Sequence, residues 1–160
     1  MHAAEPAPSA ADSLLLLAVQ RLTLGTLFVW VFFENLGKDL YTPGGYASLI
    51  RHYVETGTAP AAWKAVMRFM AERAAVAAPL QAVIELALGI LLVLGLATRL
   101  VALAAFAWLT SLWVSEWGTA WIWELLVPMV VAACLALGGA GRRFGLDAAL
   151  ARRYPAIPIW

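Results

Sequence analysis

Long apolar stretches dominate the sequence, and their lengths predict four membrane-spanning helices. Residues 13–33 are almost wholly apolar and match the roughly 20 residues that one span needs. The apolar stretch over residues 79–114 is about twice that length, so it must fold back, and Gly95 with Thr98 and Arg99 marks the bend. The predicted spans are residues 13–33, 80–97, 100–114 and 119–137.

A polar and amphipathic insert, residues 34–78, separates the first two spans. Thr42-Pro43-Gly44-Gly45 predicts a turn there, and Pro60 predicts the start of an amphipathic helix that runs to about Ala77 at the membrane surface. The predicted fold is all-α: an integral membrane four-helix bundle with an amphipathic interfacial helix between spans 1 and 2. Residues 1–12 are expected to be a disordered tail, residues 13–141 the transmembrane domain and residues 142–160 a cytoplasmic tail that includes a short helix, residues 148–153, capped by Asp147.

Composition supports a membrane location. Of the 160 residues, 63% are hydrophobic and 13% are charged, which is more apolar surface than a small aqueous core can bury. The bilayer is therefore the expected partner. The formal net charge of +1 gives no basic excess, which argues against nucleic acid as a partner.

The distribution of positive charge predicts the orientation. Arginines cluster in the C-terminal tail, and Arg99 lies in the connection between the second and third spans, whereas residues 115–118 contain no Lys or Arg. The positive-inside rule then favours a multi-pass protein of the cell (cytoplasmic) membrane with both termini in the cytoplasm.

Three ionisable residues lie inside predicted spans: Arg21, Glu85 and Glu124. Each would cost about 2.5 to 3.5 kcal/mol facing lipid at mid-helix, so these side chains are expected to face the bundle interior, one another or water. Two interpretations remain open: an internal ion pair that fixes helix register, and a buried polar site or proton path.

Tryptophans gather near the outer ends of the spans. Trp113, Trp117, Trp121 and Trp123 form either an aromatic belt at the membrane surface or a ring-binding pocket. A planar head group between these rings, hydrogen-bonded to a carboxyl group, would suit a membrane quinone.

Residues for redox chemistry within the chain are scarce. Cys134 is the single cysteine, and His2 and His52 lie outside the predicted spans, so no disulfide, haem or metal site is expected. If the protein takes part in oxidation, another chain or a bound cofactor supplies the electrons.

The segment ELALGILLVLGLATRLVALAAF, residues 85–106, resembles the signature of the DoxX-like family of small four-helix membrane proteins. Further positions fit the family: Arg21-Leu22 with Gly25, the pair Gly37-Lys38, the series Glu85, Gly89, Gly95 and Arg99, and the ending Gly141-Arg142 with Gly145-Leu146-Asp147. Gly89 and Gly95 are read as close-packing or bend positions.

The long insert and the segment WIWELLVP, residues 121–128, resemble the DoxD type most, the small subunit of thiosulfate:quinone oxidoreductase. The resemblance implies a membrane subunit that anchors or serves a quinone-linked oxidoreductase, with a redox partner subunit and Lys38 as an accessory residue. Two alternatives stay open: a small solute or proton carrier, and a non-catalytic assembly protein. The oligomeric state is open as well, a homo-oligomer included.

Overall fold

The structure, a computed structural model, describes residues 10–138 and 140–156 of the chain. Within these residues every regular element is a helix, which confirms the all-α prediction. The helices are α1 (Ala10–Gly37), α2 (Pro43–Thr56), α3 (Ala61–Glu72), α4 (Ala74–Leu94), α5 (Thr98–Ser115), α6 (Ile122–Gly138) and α7 (Leu146–Arg153), with a 3₁₀ turn at Ala140–Arg142.

Three of these helices, α1, α4 and α5, are long and apolar enough to cross a membrane. Helix α6 is equally apolar but shorter, at 17 residues. The chain is therefore a helical membrane protein.

A shared core joins α1, α4, α5 and α6. Leu24, Leu92, Ala105 and Leu135 come from the four helices in turn and are almost fully buried in one cluster. A smaller cluster around Ala47, Ala71 and Ala78 packs α2 and α3 against the start of α4. The insert between the first two long helices is thus attached to the bundle.

Glycines allow α1 and α4 to approach closely. A Cβ atom added to Gly25 would lie 2.9 Å from the Cγ2 atom of Val93, and one added to Gly89 would lie 2.8 Å from the Cγ2 atom of Val29. Both distances are too short for real side chains, which confirms the interpretation of Gly89 as a close-packing position.

The turn between α4 and α5 lies where the sequence predicted the bend. Gly95 has a φ of +64° and ends α4, and Ala97 has a φ of +48°, a left-handed conformation that costs an L-residue roughly 1 to 2 kcal/mol. Asp147 holds this turn: its Oδ1 accepts a hydrogen bond from the Ala97 N–H at 2.7 Å and its Oδ2 accepts one from the Thr98 N–H at 2.9 Å.

The role predicted for Asp147 was therefore wrong. Its side chain caps α5, because the unpaired N–H groups at the start of that helix lie within its reach. Its own helix, α7, begins at Leu146 after Gly145, which makes no side-chain cap.

The insert also differs from its prediction. The turn predicted at Thr42-Pro43-Gly44-Gly45 is instead the start of a helix: the Thr42 hydroxyl accepts a hydrogen bond from the Gly45 N–H at 3.1 Å, and Pro43 begins α2. Proline fits the first helical position because it lacks an N–H that would be unpaired there anyway.

Other predicted boundaries also differ from the structure. The helix predicted over residues 60–77 ends at Glu72, and α4 begins at Ala74, before the predicted start at residue 80, with Pro79 inside it. The tail predicted over residues 1–12 is already helical from Ala10. Residues 1–9 and 157–160 lie outside the described part of the chain, as does Gly139.

Candidate functional site

A cavity of about 560 Å³ lies among α1, α2, α4, α5 and α6. Most of its walls are apolar side chains, such as Phe28, Leu109 and Leu125. A few polar groups interrupt them, and this combination is typical of small-molecule sites, which are commonly about 300 to 1,000 Å³. The polar lining residues are Asn35, Lys38, Tyr53, Gln81, Glu85, Ser115, Glu116 and Glu124.

Glu85 is the most deeply buried of the acidic lining residues, with 2% of its surface exposed. Gln81, one turn earlier on α4, donates from Nε2 to its Oε1 at 2.8 Å, and Asn35 on α1 donates from Nδ2 to its Oε2 at 3.1 Å. The Tyr41 hydroxyl also donates to Oε2. Both carboxylate oxygens are therefore supplied with donors, as a buried acidic group requires.

Tyr41 lies in the turn after α1 and stacks on Phe32, with ring centroids 5.3 Å apart. Burial raises the pKa of its hydroxyl, and the hydrogen bond to Glu85 raises that pKa further. The hydroxyl thus keeps its proton and remains a donor to Glu85 at physiological pH.

Two further acidic residues, Glu116 and Glu124, line the same cavity. Glu116, at the end of α5, accepts a hydrogen bond on Oε1 from the Tyr53 hydroxyl at 3.2 Å. Burial raises the pKa of Glu116, the Tyr53 hydrogen bond lowers it, and the negative charge of Glu124 raises it. The Glu124 side chain is exposed, so the acidic residues grade from a buried Glu85 to an exposed Glu124.

The segment after α2 is held against the turn after α5. The Thr58 N–H donates to the Trp117 carbonyl at 2.6 Å, and Trp63 Nε1 donates to Ser115 Oγ at 2.9 Å. Together with the Tyr53–Glu116 bond, these contacts fix α2 and α3 beside the cavity.

Arg21 lies away from this cavity. Its Nη1 donates to the Leu92 carbonyl at 2.5 Å and to the Val93 carbonyl at 2.9 Å, and its Nη2 donates to the Phe144 carbonyl at 2.9 Å. Leu92 follows Glu85 by about two turns of α4, or about 10 Å of helix rise.

The structure therefore does not pair Arg21 with Glu85, one of the arrangements open from the sequence. A fully buried guanidinium instead donates to carbonyls in the last turn of α4, the end where the helix dipole favours a cation, and the Leu92 carbonyl also accepts from the Gly95 N–H. Arg21 is placed to join α1, α4 and the C-terminal segment. The structure brings together the other two predicted residues, Glu85 and Glu124, in one cavity.

The four tryptophans predicted to form one pocket do not all lie together. Trp113, Trp117 and Trp121 line a separate cavity of about 190 Å³, which shares Glu116 and Leu125 with the larger one. Trp123, 64% exposed, lines neither of these two cavities. Lys38 does line the larger cavity, where its Nζ lies 3.8 Å from Glu34 Oε1.

Several polar residues of the site were missed from the sequence. Gln81 precedes Glu85 by four residues, a spacing that places both on one helix face, so this neighbour could have been found. Asn35, Tyr41 and Tyr53 reach their carboxylate partners only through tertiary folding, and no local pattern marks them.

Fold and cavity together define a helical membrane protein with a mainly apolar cavity and a buried carboxyl group inside it. A family model described as DoxX matches residues 16–116, which is more than half of the chain. The protein belongs to the DoxX family. No curated protein matches the chain, and no solved structure does.

Proposed function

We propose that this DoxX-family protein is a membrane subunit that binds a quinone in the cavity beside Glu85 and serves an oxidoreductase. The observation that carries the proposal is the cavity itself, which is mainly apolar and has a hydrogen-bonded carboxyl group in its wall. A quinone has matching chemistry, because its ring and tail are apolar and its two carbonyls accept hydrogen bonds.

Size favours the larger cavity over the tryptophan-lined one. A volume of about 560 Å³ falls within the usual range for ligands of this kind, whereas about 190 Å³ falls below it. The quinone ring is therefore placed beside Gln81 and Glu85 rather than between Trp113 and Trp117.

The amide of Gln81 supplies a donor for the quinone carbonyl. Its nitrogen carries two N–H groups, and the bond to Glu85 uses one of them. The second N–H of Gln81 remains for a ligand, whereas the Asn35 amide bonds both Glu85 and Tyr41. Glu85 in this account is a positioning residue that orients both amides.

Reduction of a quinone to a quinol takes two electrons and two protons. The electrons come from a partner subunit, for which thiosulfate is the substrate that the DoxD type suggests. Protons reach the quinone by way of half-buried Glu116 and exposed Glu124, which line the same cavity. In this role the chain provides the quinone site and its partner provides the oxidation.

The proposed membrane arrangement has four spans, with α6 as the fourth and α2 and α3 at the surface. Helix α6 is about 26 Å long at 1.5 Å per residue, close to the thickness of a bilayer core of about 30 Å. Arg143 donates to the Ala11 carbonyl, which supports both termini at one end. The arginines of the tail favour the cytoplasm for this end by the positive-inside rule.

Equilibrium binding of decylubiquinone tests the proposal. Calorimetry on the whole chain in lipid nanodiscs, with empty nanodiscs as the blank, is expected to give saturable binding. Glu85→Gln is expected to weaken it on the order of tenfold, because one of the two oxygens that orient Gln81 and Asn35 is replaced by an N–H group. The control, Glu72→Gln, changes an exposed carboxyl group outside the cavity and is expected to bind normally. Unsaturable binding by the unmodified protein would refute the proposal.

A further inference from the structure

The smaller cavity has features that the quinone proposal does not use. Trp113 and Trp117 both line it, and their rings stand at 89° to each other with centroids 5.2 Å apart. The two rings contact each other edge to face, and Trp121, 77% exposed, also lines the cavity. Several aromatic side chains around one small cavity resemble the aromatic cages that bind organic cations.

Negative charge accompanies the aromatic rings. Glu116 lies in the wall of this cavity, and the hydrogen-bond partner of its carboxyl group among the described residues is the neutral Tyr53. The residues that line the cavity include no Lys or Arg. Lys38, the one Lys or Arg in the described lining of the adjoining cavity, lies beside Glu34. Lys64 Nζ donates to the carbonyl of Gly57, next to the lining residue Thr58, at 2.7 Å, and none of the described ion pairs involves Glu116.

We infer that the cavity lined by Trp113, Trp117, Trp121 and Glu116 binds an organic ammonium group. Tryptophan faces attract such cations more strongly than other aromatic rings do, and a carboxylate adds a direct charge contact. The volume of about 190 Å³ suits a compact head group such as trimethylammonium. The inference does not depend on quinone binding, since neither Trp117 nor Trp113 lines the larger cavity.

Choline and its neutral isostere, 3,3-dimethylbutan-1-ol, are the probes that test this inference. The whole chain is kept in dodecyl maltoside micelles, which contain no ammonium group, and binding is measured by calorimetry. Choline is expected to bind saturably, and the neutral isostere at least tenfold more weakly. Equal affinities for the two probes, or no saturable binding of choline, would overturn the inference.

Variants locate the site. Trp117→Leu is expected to weaken choline binding at least tenfold, and Trp117→Phe, which keeps an aromatic face, only a few-fold. Trp123→Leu is the matched control, because that exposed tryptophan lines neither cavity. If Trp117→Leu does not fold, Glu116→Gln decides, with an expected loss of about tenfold at unchanged side-chain size. Equal losses in Trp117→Leu and Trp123→Leu, or a Glu116→Gln variant with unchanged affinity, would count against the cage.

The ammonium group has two possible sources, a lipid head group and a free solute. If the site takes a lipid head group, short-chain phosphatidylcholine added to the micelles displaces choline, whereas phosphatidylglycerol at the same concentration does not. If neither lipid displaces choline, the ligand is a free solute. Either result supports an ammonium site. Decylubiquinone binding by Trp117→Leu is measured as well and is expected to be unchanged. This measurement shows separately whether the quinone site is intact.

Discussion

The side chain of Asp147 accepts a hydrogen bond on Oδ2 from the backbone N–H of Thr98, a residue 49 positions earlier in the chain, at 2.9 Å. Asp147 is 2% exposed, and its other oxygen holds the left-handed Ala97. The C-terminal segment is thereby joined to the turn between two long helices. Gly141 permits this contact, because a Cβ atom there would overlap with the carboxylate.

Replacement of Asp147 is expected to destabilise the bundle. Asp147→Ala leaves the N–H groups of Ala97 and Thr98 unpaired and is expected to lower the free energy of unfolding by about 2 kcal/mol. Asp147→Asn keeps one of the two acceptors and should lose less. Unfolding in detergent by titration with sodium dodecyl sulfate measures both. Glu55→Ala, at an exposed position of α2, is the control and should match the unmodified protein. A Glu55→Ala loss equal to that of Asp147→Ala would argue against a specific capping role.

Close packing of α1 and α4 gives a second prediction. Gly25→Ala places a methyl group 2.9 Å from Val93, so the helices must separate, at a cost of about 1 to 3 kcal/mol in unfolding free energy. Gly44→Ala is the matched control: no atom lies within 4 Å of the added methyl group, and a helical glycine replaced by alanine gains up to about 1 kcal/mol. In the same titration the free energy of unfolding should therefore fall for Gly25→Ala and rise for Gly44→Ala. Two variants of equal stability would contradict the tight α1–α4 contact.

Because the carboxyl group of Glu116 is partly buried, we expect the stability of the protein to depend on pH. Burial raises its folded pKa above the ordinary value of 4.5, so its contribution to stability is fully present below that value and is lost as the pH rises through the folded pKa. Glu116→Gln, which mimics the protonated form and keeps a partner for Tyr53, should reduce this loss.

Thermal unfolding between pH 4 and pH 8 provides the measurement. Across this range the melting temperature of the unmodified protein is expected to fall more than that of Glu116→Gln. Tyr53 and Glu124 remain in both proteins, and because Glu116 interacts with both, the difference between the curves measures Glu116 together with this coupling. Glu55→Gln serves as an exposed control. If the melting temperatures of Glu116→Gln and the unmodified protein change with pH in parallel, burial of this carboxyl group does not affect stability.

Much of the helical layout follows from the sequence because apolar length and turn residues are local signals. The runs that became α1, α4 and α5 could be recognised by hydropathy alone, and the left-handed Gly95 could be located by its place between two apolar stretches. The start of α2 was not predicted because Thr42-Pro43-Gly44-Gly45 also fits a turn, although a threonine followed by a proline is a helix-start signal.

The site was predictable only in part. Burial of Glu85 follows from its place within an apolar helix, since an unpaired carboxyl group is costly there. Its partners do not follow, because Asn35 and Tyr41 lie 50 and 44 positions away in the chain. Arg21 shows the same limit, since its acceptors are backbone carbonyls, which no sequence pattern distinguishes.

Photoaffinity labelling with an azido-quinone tests the quinone site most directly. The whole chain in nanodiscs is labelled, digested and mapped by mass spectrometry, with excess decylubiquinone as competitor. The account predicts competed labels on the cavity walls, on peptides that contain Phe28 of α1 and Trp108 of α5, and at least a fivefold lower yield in Glu85→Gln than in Glu72→Gln. Labels that excess quinone does not reduce, or that fall outside these walls, would contradict a quinone site beside Glu85.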